Sequence, residues 1–192
     1  MAYLIKRIEE QLQKEGYKPR TNKARDWLKS KMLRLKPSKQ ALMSDRERLK
    51  GKSIIGKMYF YFYNPKTKET LPYYDIFPLV IPIENHTDGF IGLNLHYIHP
   101  KNRMILLDKL SEFATNSRYD EKTRLRLSYS LLASSSRIFE MTPCIKKYLY
   151  KHIESRFLEI QANEWDIAAL LPVETFVGAT NSKVWAESRK KF

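Results

Sequence analysis

Residues 56–83, GKMYFYFYNPKTKETLPYYDIFPLVIPI, constrain the fold more than any other stretch of the chain. In MYFYFY a period of two places Met58, Phe60 and Phe62 on one face of a strand and Tyr59, Tyr61 and Tyr63 on the other. The first face is expected to meet a core. The tyrosine face is expected to be partly wet, its rings covered while its hydroxyls reach water or a partner. Asn64 and Pro65 make NPKTKET a turn. FPLVIPI repeats the alternation, with Phe77, Leu79, Ile81 and Ile83 opposite Pro78, Val80 and Pro82. Proline lacks the ladder donor, so this second strand is expected at an edge or a bulge. After a turn at ENHTDG, FIGLNLHYI sets Ile91, Leu93, Leu95 and Tyr97 opposite Gly92, Asn94 and His96. Three strands with short connections predict an antiparallel meander.

Helical spacing flanks the meander on both sides. Leu4, Ile5, Ile8 and Leu12 form one stripe that ends at Gly16, and Thr21 caps a basic helix whose narrow seam is Ala24, Trp27, Leu28, Lys31 and Leu35. From KPSKQALMSDRERLKGKS the pattern weakens to a linker with one more turn of helix. Beyond the meander, Asn102 is a candidate cap for Met104, Leu107, Leu110 and Ala114. Asp120 is the corresponding cap for EKTRLRLSYSLLASSSRIF, and Thr142 with Pro143 reads as the start of a helix through TPCIKKYLYKHIES. RFLEIQ reads as a returning strand, NEWDIAALLPVETF as a helix capped by Asn163 and halted before Pro172, and SKVWAESRKK as a terminal basic helix.

These elements predict class α+β: a small, strongly bent antiparallel sheet or partly open barrel of the Src-homology or oligonucleotide-binding kind, decorated by helices. At 192 residues the chain accommodates one core and an appendage, divided as a basic helical arm and linker over 1–52 and a single core domain over 53–192. The charge supports that division. Of a net +14, the first 57 residues hold 17 basic and 6 acidic side chains, so a polyanion or an acidic protein face meets that end first. Arg20, Lys23, Arg25, Lys29, Lys31, Arg34 and Lys36 are dense enough for contact with a phosphate backbone or a neighbouring subunit. Tyr59, Tyr61, Tyr63, Tyr73 and Tyr74 form the aromatic scaffold face, where core packing competes with base stacking as the reason for the rings.

Catalytic constellations are poorly represented. Cys144 is the only cysteine, which excludes an intrachain disulfide and a multi-cysteine metal site and suits a reducing compartment. Its place near Thr142 would lower a thiol pKa at a helix N-terminus, but no histidine partner is identifiable, and a structural role is preferred. His96 and His99 are the one close pair of possible metal ligands and lack a third at motif spacing. Asp75, Glu84 and Asp88 lie near strand ends, where a nuclease built on Asp75 and Glu84 is the weakest of the readings retained. No phosphate-cradling glycine loop occurs. No cofactor or metal is expected, and neither a signal peptide nor a membrane span is legible.

KMYFYFYNPKTKETLPYYDIFPLVIPI, DGFIGLNLHYIHP, PCIKKYLYKHI and EWDIAALLPVETF together resemble a family of small basic proteins of T-even-like tailed bacteriophages, the myoviruses, over roughly residues 20 to 190. The resemblance implies a setting: particle assembly in a bacterial cytoplasm, in a larger symmetric assembly, with virion subunits or packaged DNA as partners. The leading expectation is a non-enzymatic virion protein of the tail, baseplate or neck, attached through its basic arm. The second is a DNA-binding accessory protein in packaging, replication or protection of DNA ends.

Overall fold

The computed structural model describes residues 4–35, 37–114, 118, 120, 123, 130 and 142–189. Helix α1 (Leu4–Lys14) buries Ile5, Ile8 and Leu12, and stops where Gly16 takes φ +76° and the Tyr17 N–H donates to the Leu12 carbonyl at 3.1 Å. Helix α2 (Asn22–Arg34) begins as its sequence predicts, the Thr21 hydroxyl accepting from the Ala24 N–H at 3.2 Å. The single turn α3 (Lys39–Leu42) is capped by Ser38 in the same way.

The strands are β1 (Leu49–Lys50), β2 (Met58–Phe60), β3 (Tyr74–Asp75), β4 (Leu79–Asn85), β5 (Gly89–Asn94), β6 (Ile145–Leu149), β7 (Phe157–Ile160) and β8 (Phe176–Val177). Six of them form one antiparallel sheet in the order β1-β7-β2-β4-β5-β6, while β3 pairs with β8 separately. The predicted meander is present as β2-β4-β5, and the returning strand RFLEIQ supplies β7, which enters between β1 and β2. Helices α4 (Pro100–Ala114), α5 (Trp165–Leu170) and α6 (Asn181–Arg189) follow, with short 3-10 turns between elements.

Several expectations change. Among the described residues the sheet has two unpaired edges, β1 and β6, so it is open rather than an oligonucleotide-binding or Src-homology barrel. Of the two places expected for the proline strand, the edge and the bulge, it takes the second: β4 is central, and its register with β5 shifts between Pro82 and Glu84, so the ladder is interrupted next to the residue that cannot donate. Thr142–Cys144 makes one 3-10 turn and the chain then continues as β6, because Gly89–Leu93 of β5 offers a free edge that Ile145–Leu149 completes. Asn163 does not cap α5 but donates to Glu9 at 2.6 Å; Gln161 caps the 3-10 turn Ala162–Glu164 that leads into α5, in a reciprocal capping box with Glu164. Helix α4 starts two residues before Asn102, whose N–H donates to the His99 carbonyl. The Thr123 N–H donates to the Asp120 carboxylate at 2.7 Å, as a cap requires; apart from helical Ser130, the rest of that predicted helix lies outside the described residues.

The two faces of the sheet carry two cores. Met58, Phe60, Leu79, Ile81, Leu93, Leu158 and Ile160 pack against the helices, and the N-terminal segment shares in this cluster through Ile5, Ile8, Leu12, Ala24, Leu28 and Met32. The helices expected to stand apart as an arm are thus packed on the same core as the sheet. Of the seam predicted for α2, Ala24 and Leu28 are buried, together with Arg25 and Met32, whereas Trp27, Lys31 and Leu35 are half-buried.

The opposite face is not wet. Tyr59 and Tyr61 are wholly buried and cluster with Tyr63, Val80, Phe90, Tyr148 and Phe157. Phe90 of β5 and Phe157 of β7 are three strands apart, about 14 Å in a flat sheet, yet their ring centroids lie 6.1 Å apart, and both pack on Tyr61. The sheet is therefore strongly bent around its tyrosines. Gly92 permits the bend, since a Cβ there would stand 2.3 Å from Val80 Cγ1. Three of the four hydroxyls find partners inside: Tyr59 accepts from the Ile54 N–H, Tyr63 from the Leu149 N–H and Tyr148 from the Asn94 amide.

Candidate nucleic-acid interface

The bend leaves a cavity of about 230 Å³ between the outer edge of β6, the loop after β2 and strand β3. Its deep wall is built of Tyr63, Tyr97 and Tyr148, all buried. Its rim carries Tyr73 and Tyr74 together with Lys66, Lys146 and Lys147. Each part comes from a different local cause. Pro65 turns the chain after β2 and leaves Lys66 exposed; β3 pairs with β8 and so holds Tyr73 and Tyr74 at the opening; β6, with no strand beyond it among the described residues, presents its side chains to the cavity.

The aromatic surfaces are already arranged with a cation. Lys146 Nζ lies 4.6 Å from the Tyr97 ring centroid, Tyr73 is tilted against Tyr97 at 6.0 Å, and Phe176 meets Tyr97 edge-on at 4.9 Å. Burial raises the pKa of Tyr97 and Tyr148, and pushes Tyr73 up to about 12 with a further contribution from Glu187. At neutral pH these phenols therefore remain uncharged, and the charge of the rim comes from Lys66 and Lys146, from Lys147 paired with Asp88, and from Glu187 against Tyr73. The one carboxylate, Asp75, is held from below: Oδ1 accepts from the Phe77 N–H at 3.0 Å, and Oδ2 from the Asn94 amide at 3.1 Å, with His96 Nδ1 at 2.8 Å.

That geometry separates the residues considered for nuclease and metal chemistry. Asp75 is buried in its hydrogen bonds, Glu84 is exposed beside His86, and Asp88 pairs with Lys147. His96 is buried against Asp75, while His99 sits edge-on to Trp185 at 5.4 Å, and among the described residues no three acids, histidines or cysteines converge as a metal site. Cys144 is not at a helix N-terminus; burial pushes its thiol up to about 12, the opposite of activation.

The basic residues of the N-terminal segment divide. Arg25 is buried: its guanidinium donates to Asp108 through Nη1 and Nη2 and to Asp166 through Nε, and the Asp108 hydrogen bonds lead in raising its pKa. Its charge is used within the fold, tying α2 to α4 and α5. Arg20, at φ +66°, reaches the Ala162 carbonyl at 3.3 Å. Lys29 pairs with Asp26 on the helix surface at 3.4 Å. Lys23, Lys31 and Arg34 share one side of α2 with Trp27, at spacings of four, eight and eleven residues from Lys23. Lys31 Nζ lies 5.6 Å from the Trp27 ring centroid, and Tyr17 packs on that ring at 6.0 Å. Lys36 lies outside the described residues.

Of the aromatic scaffold residues, Tyr63, Tyr73 and Tyr74 come to the cavity, whereas Tyr59 and Tyr61 belong to the buried cluster below it. Sequence reasoning missed Tyr97, Tyr148 and Lys146. The signal for two of these was available, since IKKYL read with a period of two sets Lys146 and Tyr148 on one face. The helix-start pair at Thr142 and Pro143 obscured it.

Among known proteins, the model of a family described as the Phage T4 terminal DNA protecting protein matches residues 3–189 of the chain. No curated protein and no solved structure matches.

Proposed function

Given that the chain belongs to the Phage T4 terminal DNA protecting protein family, we propose that it binds the ends of linear phage DNA and protects them by occupancy, without a reaction of its own. It acts on DNA destined for the particle and remains with it in the virion, after synthesis in the host cytoplasm. The family match over 3–189 carries this reading. It favours DNA-end protection over a tail, baseplate or neck scaffold, and makes DNA the first partner, with other virion subunits as secondary neighbours.

The surface chemistry is consistent with it. Lys23, Lys31 and Arg34 lie on one side of α2, where they suit phosphate contacts that read no sequence. Trp27, with Lys31 against its ring, adds a flat apolar element to the same side. Binding that depends on phosphate and shape fits a role in which the terminus, rather than a sequence, is recognised.

Protection is tested directly by incubating purified protein with linear duplex DNA and then with exonucleases of either polarity. Digestion of linear DNA is expected to be delayed in proportion to protein added, while a nicked circle of the same sequence competes poorly. Equal competition by the nicked circle, with no delay of digestion, would overturn the reading.

A further inference from the structure

We propose that the cavity beside β6 receives a single unpaired nucleotide at the DNA terminus, its base against the tyrosines and its phosphate at the lysine rim; this rests on the end-binding reading above. The cavity of about 230 Å³ is open on one side and has room for one base, with its sugar and phosphate at the mouth. Its tyrosine walls suit the flat face of a base, and stacking of that kind tolerates any sequence. Tyr74 lines the opening and stacks on none of the chain's own rings among the described residues, and Lys66 beside it has no acidic partner among them. An available ring and an available cation thus stand at one mouth. The phenols remain neutral at physiological pH, so they do not repel a phosphate.

The size of the cavity also supplies a reason for choosing ends. Inside a duplex, a base reaches such a site only by unpairing and losing its stacking on both sides, at a cost of a few kcal/mol. The last nucleotide loses stacking on one side only, and an overhanging nucleotide is unpaired already. A one-nucleotide site therefore discriminates a terminus from the interior without reading sequence.

The test uses the full chain and three dye-labelled DNA hairpins of equal duplex length: one with a single-nucleotide overhang, one blunt, and a dumbbell without ends. Wild-type affinity is expected to fall in that order. Tyr74→Ala should weaken binding of the overhang about tenfold, the scale of one base–aromatic stack, and leave the dumbbell unchanged, while Tyr74→Phe restores the preference. Lys66→Gln should also act selectively on the overhang. Both positions lie at the rim, so circular dichroism should match wild type. If Tyr74→Ala leaves the overhang unaffected, or weakens overhang and dumbbell equally, the cavity is not the nucleotide site, though end binding survives. If the wild type does not distinguish overhang from dumbbell, the end-binding reading falls and this inference with it.

Discussion

Replacing Arg103 by methionine tests how this fold tolerates a charge at its centre. Arg103 is wholly buried; Nε donates to the Ile98 carbonyl at 2.7 Å, Nη1 to the Ala169 carbonyl at 2.9 Å and to Glu174 at 2.5 Å, and Nη2 to the His96 carbonyl at 3.1 Å. Burial lowers its pKa, opposed chiefly by Glu174. Arg103→Met leaves the Glu174 carboxylate without its cation, a change that costs about 3–5 kcal/mol when a buried pair is broken. The Ile98 and Ala169 carbonyls lose this donor too, whereas the His96 carbonyl keeps Trp185 Nε1 at 2.8 Å. Against a total of about 5–15 kcal/mol for a typical protein, the loss is large. In urea, with a slope of about 2 kcal/mol per molar, the midpoint should fall by about 2 M. The double variant Arg103→Met with Glu174→Leu should be more stable than Arg103→Met alone, since it strands no charge. A loss below about 1 kcal/mol in the single variant, or no recovery in the double, would refute the reasoning.

Two further outcomes separate surface charge from internal charge and fix the sign of the pH response. Lys23, Lys31 and Arg34 changed together to Gln should flatten the dependence of log K on log salt by about 0.9 for each phosphate that is no longer neutralised, without moving the urea midpoint, whereas Arg25→Gln should lower the midpoint because Asp108 and Asp166 lose their shared partner; a salt slope unchanged in the triple variant would remove α2 from the interface. Stability should be full below about pH 9 and decline as pH rises toward 12, because burial raises the Cys144 thiol from 9.0 to about 12 and raises the Tyr61 and Tyr148 phenols above 10.0, so the unfolded chain releases these protons first. Urea midpoints at pH 8, 10 and 11 measure this, and a flat profile would contradict it.

Local pattern fixed a good part of what was found. The period of two in MYFYFY correctly divided its side chains between two faces, Gly16 ends a helix because it lacks a Cβ and Thr21 begins one through its hydroxyl, and the strand RFLEIQ and terminal helix were readable from spacing alone. These features depend on neighbours within a few residues, which is the range over which backbone preference and side-chain caps act. Charge asymmetry also pointed toward a polyanion, since net charge is a property of composition.

What each face and each charge meets was decided by the tertiary structure. Tyr61 is dry because Phe90, Tyr148 and Phe157 arrive from three other strands, and IKKYL became a strand because β5 offered it an edge. Arg25 reads in sequence as a cation for a polyanion or a neighbouring subunit, yet it is buried because Asp108 and Asp166 converge on it from far along the chain, as Glu174 does on Arg103. The cavity likewise joins Tyr63, Tyr74, Tyr97 and Tyr148 from four segments, and only two of those residues were anticipated as members. A sequence records which side chains are available; desolvation and stacking energies depend on partners brought together by chain closure, and those partners are set by the folded sheet.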